Sequence, residues 1–413
     1  MSVILKLKEL LFFFLKWIFL LASISLISGS LSAVFLVSLN YVTSYRNYHR
    51  EIIYLLPIAG LCIGLCYHYY GKSVARGNDL IFDTIYFPKD VIPFKMLPFV
   101  LFGTLVTHLF GGSAGREGTA LQMSAAAADQ FHNIITISTK DRVVLLIAAL
   151  SAGFASVFGT PLAGAIFGLE VLLISKIPFK AIAPALITAY LANFVAELWG
   201  IKHIHYQIPE VPDVSVQLLG YTIISGLVFG IAAVLFVRLT SQVSSVTRLI
   251  RFPPLRPFTG GIIVVALLLA FGAEKFAGLG IPTILRAFEQ PSLPADFLLK
   301  ILITAITLGM GFKGGEVTPL FFIGATLGSA LSLVFPIPVS LMAGMGFVAV
   351  FSGAAKTPVA CIVMSVELFG ISGCIYMMVA CVIAYLISGR YSIYNAGENK
   401  QPRHFLFRSH FNF

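Results

Sequence analysis

Charged side chains are scarce in this sequence of 413 residues, at 11%, whereas hydrophobic residues make up 58%. Soluble domains carry about 25% charged residues, so the composition excludes a soluble globular protein. The mean hydropathy of +0.92 indicates a chain whose main solvent is membrane lipid. Apolar segments recur to residue 388, and the N-terminal one, residues 10–39, is longer than the apolar part of a signal peptide, about 7–15 residues. We therefore expect an all-α polytopic membrane protein whose first apolar segment is retained.

Cysteine is rare as well, and the motifs of membrane-embedded enzymes are missing. The five cysteines all fall in apolar segments, which is typical of small core residues. An intramembrane hydrolase would need a base or metal constellation such as HExxH or a paired catalytic aspartate, and the sequence has neither. We therefore expect no metal, no cofactor and no enzymatic activity.

Basic residues outnumber acidic ones and give a net charge of +10. No basic run is interleaved with aromatic residues outside the chain ends, so nucleic acid is not an expected partner. By the positive-inside rule, the basic residues at both ends predict cytoplasmic termini. We expect a multi-pass protein of a cell inner (plasma) membrane, surrounded by lipid bilayer. The terminal basic residues are Lys6, Lys8, Lys16, Arg390, Lys400, Arg403 and Arg408.

Two glycine-rich polar stretches interrupt the apolar chain, GGSAGREGTALQ at 111–122 and GMGFKGGEVTPLFFIG at 309–324. Each combines glycines, one cation and one glutamate with an apolar run. A helix that begins part-way across a membrane leaves its first N–H groups unpaired, and these groups bind anions. A glutamate there is a tethered anion that occupies the site when ionised and leaves it when protonated. We therefore predict that Glu117 is a proton-dependent gate and that Glu316 is a second titratable group.

An internal repeat relates the two stretches. Pro161 precedes Glu170 by nine residues and Pro358 precedes Glu367 by nine, an offset of 358 − 161 = 197. Glu117 and Glu316 give nearly the same offset, 316 − 117 = 199. Short, glycine-interrupted segments in corresponding halves are typical of transporters with broken helices. The matching positions of Glu170 and Glu367 favour structural pairing at helix ends over transport.

These spacings predict five parts of the chain. We expect the N-terminus and first membrane helix at 1–49, a first transmembrane repeat at 50–200, a connecting stretch at 201–214, a second repeat at 215–389, and a short basic cytoplasmic tail at 390–413.

The stretches GGSAGREGTALQ, GGEVTP and SGRYSIY resemble the signature regions of the CLC family of anion channels and proton-coupled antiporters. The resemblance extends, through PLAGAIFGLE, over roughly residues 50–395. It implies a homodimer with one pore per subunit, an inverted repeat of broken and tilted helices, and anion sites at helix N-termini. Glu117 falls on the family's gating glutamate, and Tyr394 falls on the tyrosine whose hydroxyl faces the central anion; its neighbour Tyr391 is the weaker candidate. The implied anion-binding residues are Gly115, Arg116, Gly118, Val317, Thr318 and Tyr394.

Three departures from the chloride transporters resemble the fluoride/proton antiporter branch (CLC-F type). Asn78 stands where they usually carry a serine, GGEVTP containing Glu316 replaces GGIFAP, and Val171 stands at their internal proton-transfer glutamate. An asparagine amide offers two N–H donors where serine offers one O–H, which suits strongly hydrated fluoride. The expected function is therefore fluoride export by exchange for protons. A chloride/proton antiporter or a passive anion channel of the CLC family is the alternative.

Several residues keep a second interpretation at this stage. Asn78 is also a common type of helix cap, and Phe82, whose electropositive ring edge suits an anion, is also a typical core or lipid-facing residue. Arg116 and Lys313 either attract anions by their field or pair with nearby carboxylates.

Overall fold

The computed structural model describes residues 2–172, 179–204 and 206–394, without the side chains of residues 2–6 and 273–274. Within these segments the chain forms α-helices joined by 3-10 turns and loops, and no strand, so the all-α prediction is confirmed. The predicted tail residues Lys400, Arg403 and Arg408 lie outside the described residues.

The helices fall into two consecutive sets of nine in the described part of the chain. The first set is α1 Ser2–Tyr48, α2 Leu56–Tyr69, α3 Asn78–Tyr86, α4 Met96–Leu109, α5 Glu117–Asp129, α6 Phe131–Ile134, α7 Thr139–Phe158, α8 Pro161–Glu170 and α9 Ile182–Leu198. The second set is α10 Val216–Thr247, α11 Leu255–Phe271, α12 Ala273–Phe276, α13 Ile281–Glu289, α14 Asp296–Gly309, α15 Val317–Leu331, α16 Val339–Ala355, α17 Pro358–Phe369 and α18 Cys374–Ile387.

Helix length separates spanning helices from shorter ones. In the described segments, five helical stretches are long and apolar enough to cross a membrane: Leu7–Tyr48, Arg50–Tyr69, Thr139–Phe158, Phe179–Leu198 and Val216–Thr247. Most of the other helices have 10–17 residues, fewer than the roughly 20 that a full crossing takes. Backbone that ends inside a membrane must be satisfied by other parts of the protein, so the short helices have to meet one another there.

Corresponding helices in the two sets have matching lengths and spacing. α3 and α13 both have nine residues, and α4 and α14 both have 14. The start of α14 is offset from that of α4 by 296 − 96 = 200, and the start of α17 from that of α8 by 358 − 161 = 197. The repeat predicted from two motifs therefore recurs along the helices.

Reciprocal helix caps show that the two halves face each other in opposite orientation. The Glu367 carboxylate accepts hydrogen bonds from the backbone N–H groups of Leu162 (2.9 Å) and Ala163 (2.8 Å) at the start of α8. The Glu170 carboxylate accepts the equivalent bonds from Val359 (3.0 Å) and Ala360 (2.8 Å) at the start of α17. Such an exchange between equivalent positions requires a two-fold relation. The predicted structural pairing of Glu170 and Glu367 is confirmed.

The centre of the molecule is built from helices with small residues. Every residue of α5 is buried, as is nearly every residue of α15 and α16. A Cβ atom added at Gly324 in α15 or at Gly346 in α16 would overlap the backbone of the other helix, so these helices approach more closely than larger residues would allow.

A buried ion pair fixes the far end of α5. The Asp129 carboxylate accepts hydrogen bonds from Arg142 Nε (2.7 Å) and Nη2 (2.8 Å) on α7 and from the Ile92 backbone (2.7 Å). Both ionic side chains are almost completely inaccessible to solvent. Because α5 begins at Glu117, this pair helps to hold the predicted gate in position.

Candidate functional site

The two glycine-rich loops are paired through their backbones. Gly115 N–H donates to Gly315 O (2.6 Å) and Gly315 N–H donates to Gly115 O (2.7 Å), an antiparallel bridge between equivalent positions of the two halves. A Cβ atom added at Gly315 would lie only 2.8 Å from the Gly118 nitrogen. Glycine is therefore required here, and the bridge brings the first turns of α5 and α15 together in the protein interior.

Four threonines on α4 and α14 support this bridge: three bond to the loop residues Ser113 and Lys313, and the fourth bonds to Thr119 on α5. The backbone N–H of Ser113 donates to the Thr307 hydroxyl (3.3 Å), and that of Lys313 donates to the Thr107 hydroxyl (3.3 Å). The Thr304 hydroxyl forms a 2.7 Å hydrogen bond to the Ser113 hydroxyl, and Thr104 forms one of the same length to the hydroxyl of Thr119 on α5.

Sequence reasoning missed these threonines, although a signal for them was present. Thr304 is offset from Thr104 by 304 − 104 = 200, and Thr307 is offset from Thr107 by the same amount. Only the offset of the repeat distinguishes them from the many other hydroxyl residues of apolar segments, which usually bond to their own helix backbone.

The Glu117 carboxylate contacts the N-terminal turn of α15, a helix of the opposite half of the chain. Its Oε2 accepts hydrogen bonds from the backbone N–H groups of Arg116 and Thr318, both at 3.1 Å, and its Oε1 accepts one from the Thr318 hydroxyl. The side chain is fully buried, with Arg116 Nε at 3.7 Å from Oε1. A negative group thus occupies the N-terminus of α15, where the helix dipole and free N–H groups favour an anion.

A cavity of about 350 Å³ lies beside the paired loops, and we call it the Asn78 cavity. Asn78, Asp79 and Glu316 all line it. The other polar lining residues are Arg76, Gln122, Ser244 and Lys313.

The Asn78 side chain is directed at the paired loops rather than at its own helix. The cap position of α3 belongs to Gly77, and no side chain makes a cap hydrogen bond there, so the capping interpretation of Asn78 is wrong. A Cβ atom added at Gly118 would lie 3.2 Å from Asn78 Nδ2. Asn78 Oδ1 is buried without a hydrogen-bond partner among the described residues. A buried polar side chain that has an unpaired atom is suited to contact a polar ligand.

Phe82 and Tyr394 form an aromatic pair next to these groups. Their rings meet edge to face with centroids 5.3 Å apart, and both residues are buried. Phe82 is therefore not lipid-facing. Tyr391 is exposed and bonds through its hydroxyl to Arg238 (2.5 Å), away from this cluster.

The remaining predicted residues lie on the loop backbones or at the cavity wall. Val317 is the buried first residue of α15, and Gly115 and Gly118 flank the Arg116–Glu117 pair. Arg116 lies beside the Glu117 carboxylate, as the pairing interpretation predicts. Lys313 places Nζ over the Tyr67 ring at 4.1 Å, with Ala75 O at 3.4 Å. Within the described segments, no group of three or more His, Cys, Asp or Glu residues forms a candidate metal site.

A sequence profile described as "Voltage gated chloride channel" matches residues 59–389. The chain belongs to the CLC family. This CLC protein is 47% identical over 403 residues to a "Chloride/fluoride channel protein" of Pseudomonas syringae pv. tomato, an alignment that covers 96% of this chain and 89% of the relative. It is therefore a multi-pass membrane protein of a transporter family.

Solved structures share the fold of this CLC protein. The crystal structure of a CLC-type fluoride/proton antiporter superimposes with a TM-score of 0.90 at 34% identity, covering 93% of this chain and 98% of the other. A slow cyanobacterial Cl⁻/H⁺ antiporter superimposes with a TM-score of 0.81 at 20% identity, covering 90% and 94%, which is a likeness of fold alone. The predicted CLC-like inverted repeat is confirmed.

Proposed function

We propose that this CLC protein is a secondary active antiporter that exports fluoride in exchange for protons. The observation that carries the proposal is the Glu117 carboxylate, which accepts two hydrogen bonds from Thr318 at the start of α15 and one from the backbone N–H of Arg116. A side chain that fills an anion site competes directly with a transported anion. The similarity to a fluoride/proton antiporter and to a relative named for chloride and fluoride supports the choice of fluoride.

Protonation of Glu117 would let fluoride replace the Glu117 carboxylate at the hydrogen-bond donors of Thr318. A neutral carboxyl group is a weaker acceptor than a carboxylate, so it leaves the backbone and hydroxyl donors of Thr318 more readily. Fluoride then takes these donors. When fluoride departs, Glu117 releases its proton and returns, so each anion passage is tied to a proton movement.

Glu316 would couple this cycle to the Asn78 cavity. Val171 is buried and has no titratable group, whereas Glu316 lines the cavity at the start of α15. Glu316 therefore relays the proton, and the Asn78 amide donates to fluoride that has lost its water. Phe82 and Tyr394 direct an electropositive ring edge and a hydroxyl toward the same anion.

The topology of the proposed exporter follows from the basic residues and the spanning helices. With the N-terminus in the cytoplasm, α1 crosses outward and the Arg50–Tyr69 stretch returns, so residues 70–79 and the Asn78 cavity face the cytoplasm. The C-terminus is cytoplasmic as well, and the protein is a homodimer in the inner membrane, as its family resemblance implies. The end of α10 is offset from that of α1 by 247 − 48 = 199, which supports grouping α1 with the first repeat rather than placing it before that repeat.

Reconstituted vesicles test this function. Purified protein in proteoliposomes should dissipate a fluoride gradient and move protons in the opposite direction, as recorded by a fluoride electrode and a pH electrode. Chloride should cross far more slowly. Fluoride flux without counter-moving protons indicates a passive channel, and chloride flux as fast as fluoride flux indicates a chloride-transporting protein. Either result contradicts the proposal.

A further inference from the structure

Lys356, the residue that follows α16, has a backbone conformation that residues with a side chain rarely adopt. Its φ is 63°, and every other residue with a positive φ in the described part of the chain is a glycine. A Cβ atom makes this left-handed conformation unfavourable, so the position favours glycine. A larger residue that is held in such a conformation often belongs to a functional site.

The inverted repeat shows that the turn itself does not require a side chain. Gly159, with a φ of 76°, follows α7 in the first half, and 356 − 159 = 197 is also the offset between α8 and α17. Both residues close the last turn of their helix, since the Gly159 N–H donates to Ala155 O (2.8 Å) and the Lys356 N–H donates to Ser352 O (3.0 Å). Glycine is sufficient for this turn, so the lysine of the second half is to be explained by what its side chain contacts.

The Lys356 ammonium is buried among neutral groups. The residue is inaccessible to solvent. Its Nζ donates to the Ser388 hydroxyl and lies 5.6 Å from the centre of the Tyr385 ring. In the described part of the chain, no carboxylate forms an ion pair with it. A buried cation without a countercharge destabilises a protein, so the charge and the backbone of Lys356 both act against stability.

The groups that contact Lys356 and its neighbour Ala354 belong to the segment that leads to Tyr394. Ser388 follows the last residue of α18. Five residues later, the Ile393 N–H donates to Ala354 O (2.9 Å) near the end of α16. Two bonds to residues 354–356 therefore fasten both ends of the segment 388–393, and Tyr394 comes directly after it.

This segment adjoins the proposed anion path. Ile393 lines the Asn78 cavity. The Tyr394 ring packs against those of Phe82 and Phe167, with centroids 5.3 Å and 6.1 Å apart. The neighbouring rings restrict the Tyr394 side chain, and the two bonds to the end of α16 fix the backbone that precedes it.

We propose that Lys356 is a positioning residue for transport, whose ammonium fastens the segment 388–393 and thereby holds the Tyr394 hydroxyl in the anion path. The unfavourable backbone and the buried charge are retained because the ammonium is needed at the Ser388 hydroxyl. The contact of Tyr394 with the anion rests on the proposed function, whereas the bonds that hold the segment are observed directly.

Saturation of transport and thermal unfolding, both measured on the full-length protein, test this role. Lys356→Met removes the ammonium with little change in side-chain length. In proteoliposomes the half-saturating fluoride concentration should rise about tenfold, the effect of one lost hydrogen bond to an ion, while the maximal rate changes little. The unfolding midpoint should not fall, because a buried charge without a countercharge has been removed. Ser388→Ala, which removes the acceptor, should also raise the half-saturating concentration, and Lys140→Met, at an exposed position, should not.

A double substitution distinguishes positioning of Tyr394 from a direct effect of the lysine charge. Tyr394→Phe alone should raise the half-saturating concentration, and adding Lys356→Met should raise it no further. An effect of Lys356→Met that multiplies that of Tyr394→Phe, a lower unfolding midpoint, or wild-type saturation of Lys356→Met overturns the proposal. Wild-type saturation of Tyr394→Phe overturns the proposed anion contact of Tyr394 together with it. If the vesicles carry chloride rather than fluoride, the proposed substrate is wrong, and the same comparison made with chloride still decides the role of Lys356.

Discussion

Replacing Glu117 by glutamine removes the charge of the proposed gate with almost no change in shape. The carboxylate accepts two backbone hydrogen bonds at 3.1 Å and one from the Thr318 hydroxyl. A hydrogen bond to a charged group contributes about 1.5–3 kcal/mol and a neutral one about 0.5–1.5 kcal/mol, so each bond weakens by about 1 kcal/mol. Over three bonds the loss is about 3 kcal/mol, which shifts the occupancy of the site by roughly a hundredfold. The glutamine side chain should therefore leave the start of α15.

The expected result is fluoride movement without proton movement. Glu117→Gln proteoliposomes should still dissipate a fluoride gradient, but the pH electrode should record no counter-flow of protons. Glu210→Gln, at an exposed position in the connecting stretch, is the matched control and should retain exchange. Full fluoride/proton exchange by Glu117→Gln would refute the reasoning, because a side chain that cannot ionise would then be serving as the gate.

Three further substitutions separate selectivity, coupling and stability. Asn78→Ser removes an amide donor and should lower the ratio of fluoride to chloride flux about tenfold, since one hydrogen bond to an ion contributes about 1.5 kcal/mol or more. An unchanged ratio in an assay that measures both fluxes would show that Asn78 does not determine selectivity. Glu316→Gln should lower the number of protons moved per fluoride, measured with paired electrodes, and an unchanged ratio assigns the relay elsewhere. Asp129→Asn leaves the buried Arg142 without its countercharge and should destabilise the protein by about 3–5 kcal/mol, seen as a lower midpoint in thermal unfolding. The exposed Asp213→Asn should not shift that midpoint, and an equal shift in both variants contradicts a specific role for the ion pair.

The repeat and the position of the gate were predictable because they depend on local spacing. Equal numbers of residues separate proline from glutamate in both halves, and glycines beside Glu117 and Glu316 indicate interrupted helices without any knowledge of contacts. These spacings do not depend on tertiary contacts. The interrupted helices therefore lie where the motifs predict them.

The partners of these residues were not predictable, because they come from the opposite half of the chain. No local pattern indicates that Glu117 bonds to Thr318 or that Thr307 supports the loop at Ser113. Tertiary structure alone brings these residues together.

The exchanged caps of Glu170 and Glu367 have a consequence for how such a protein assembles and arises. Neither half satisfies the N-terminus of its own short helix, since each depends on a carboxylate from the other. During synthesis, α8 therefore remains incompletely bonded until α17 has been made and inserted. The same reciprocity would let two identical, oppositely inserted copies of one ancestral half cap each other. A gene formed by duplication and fusion of that half would therefore encode both caps from the start.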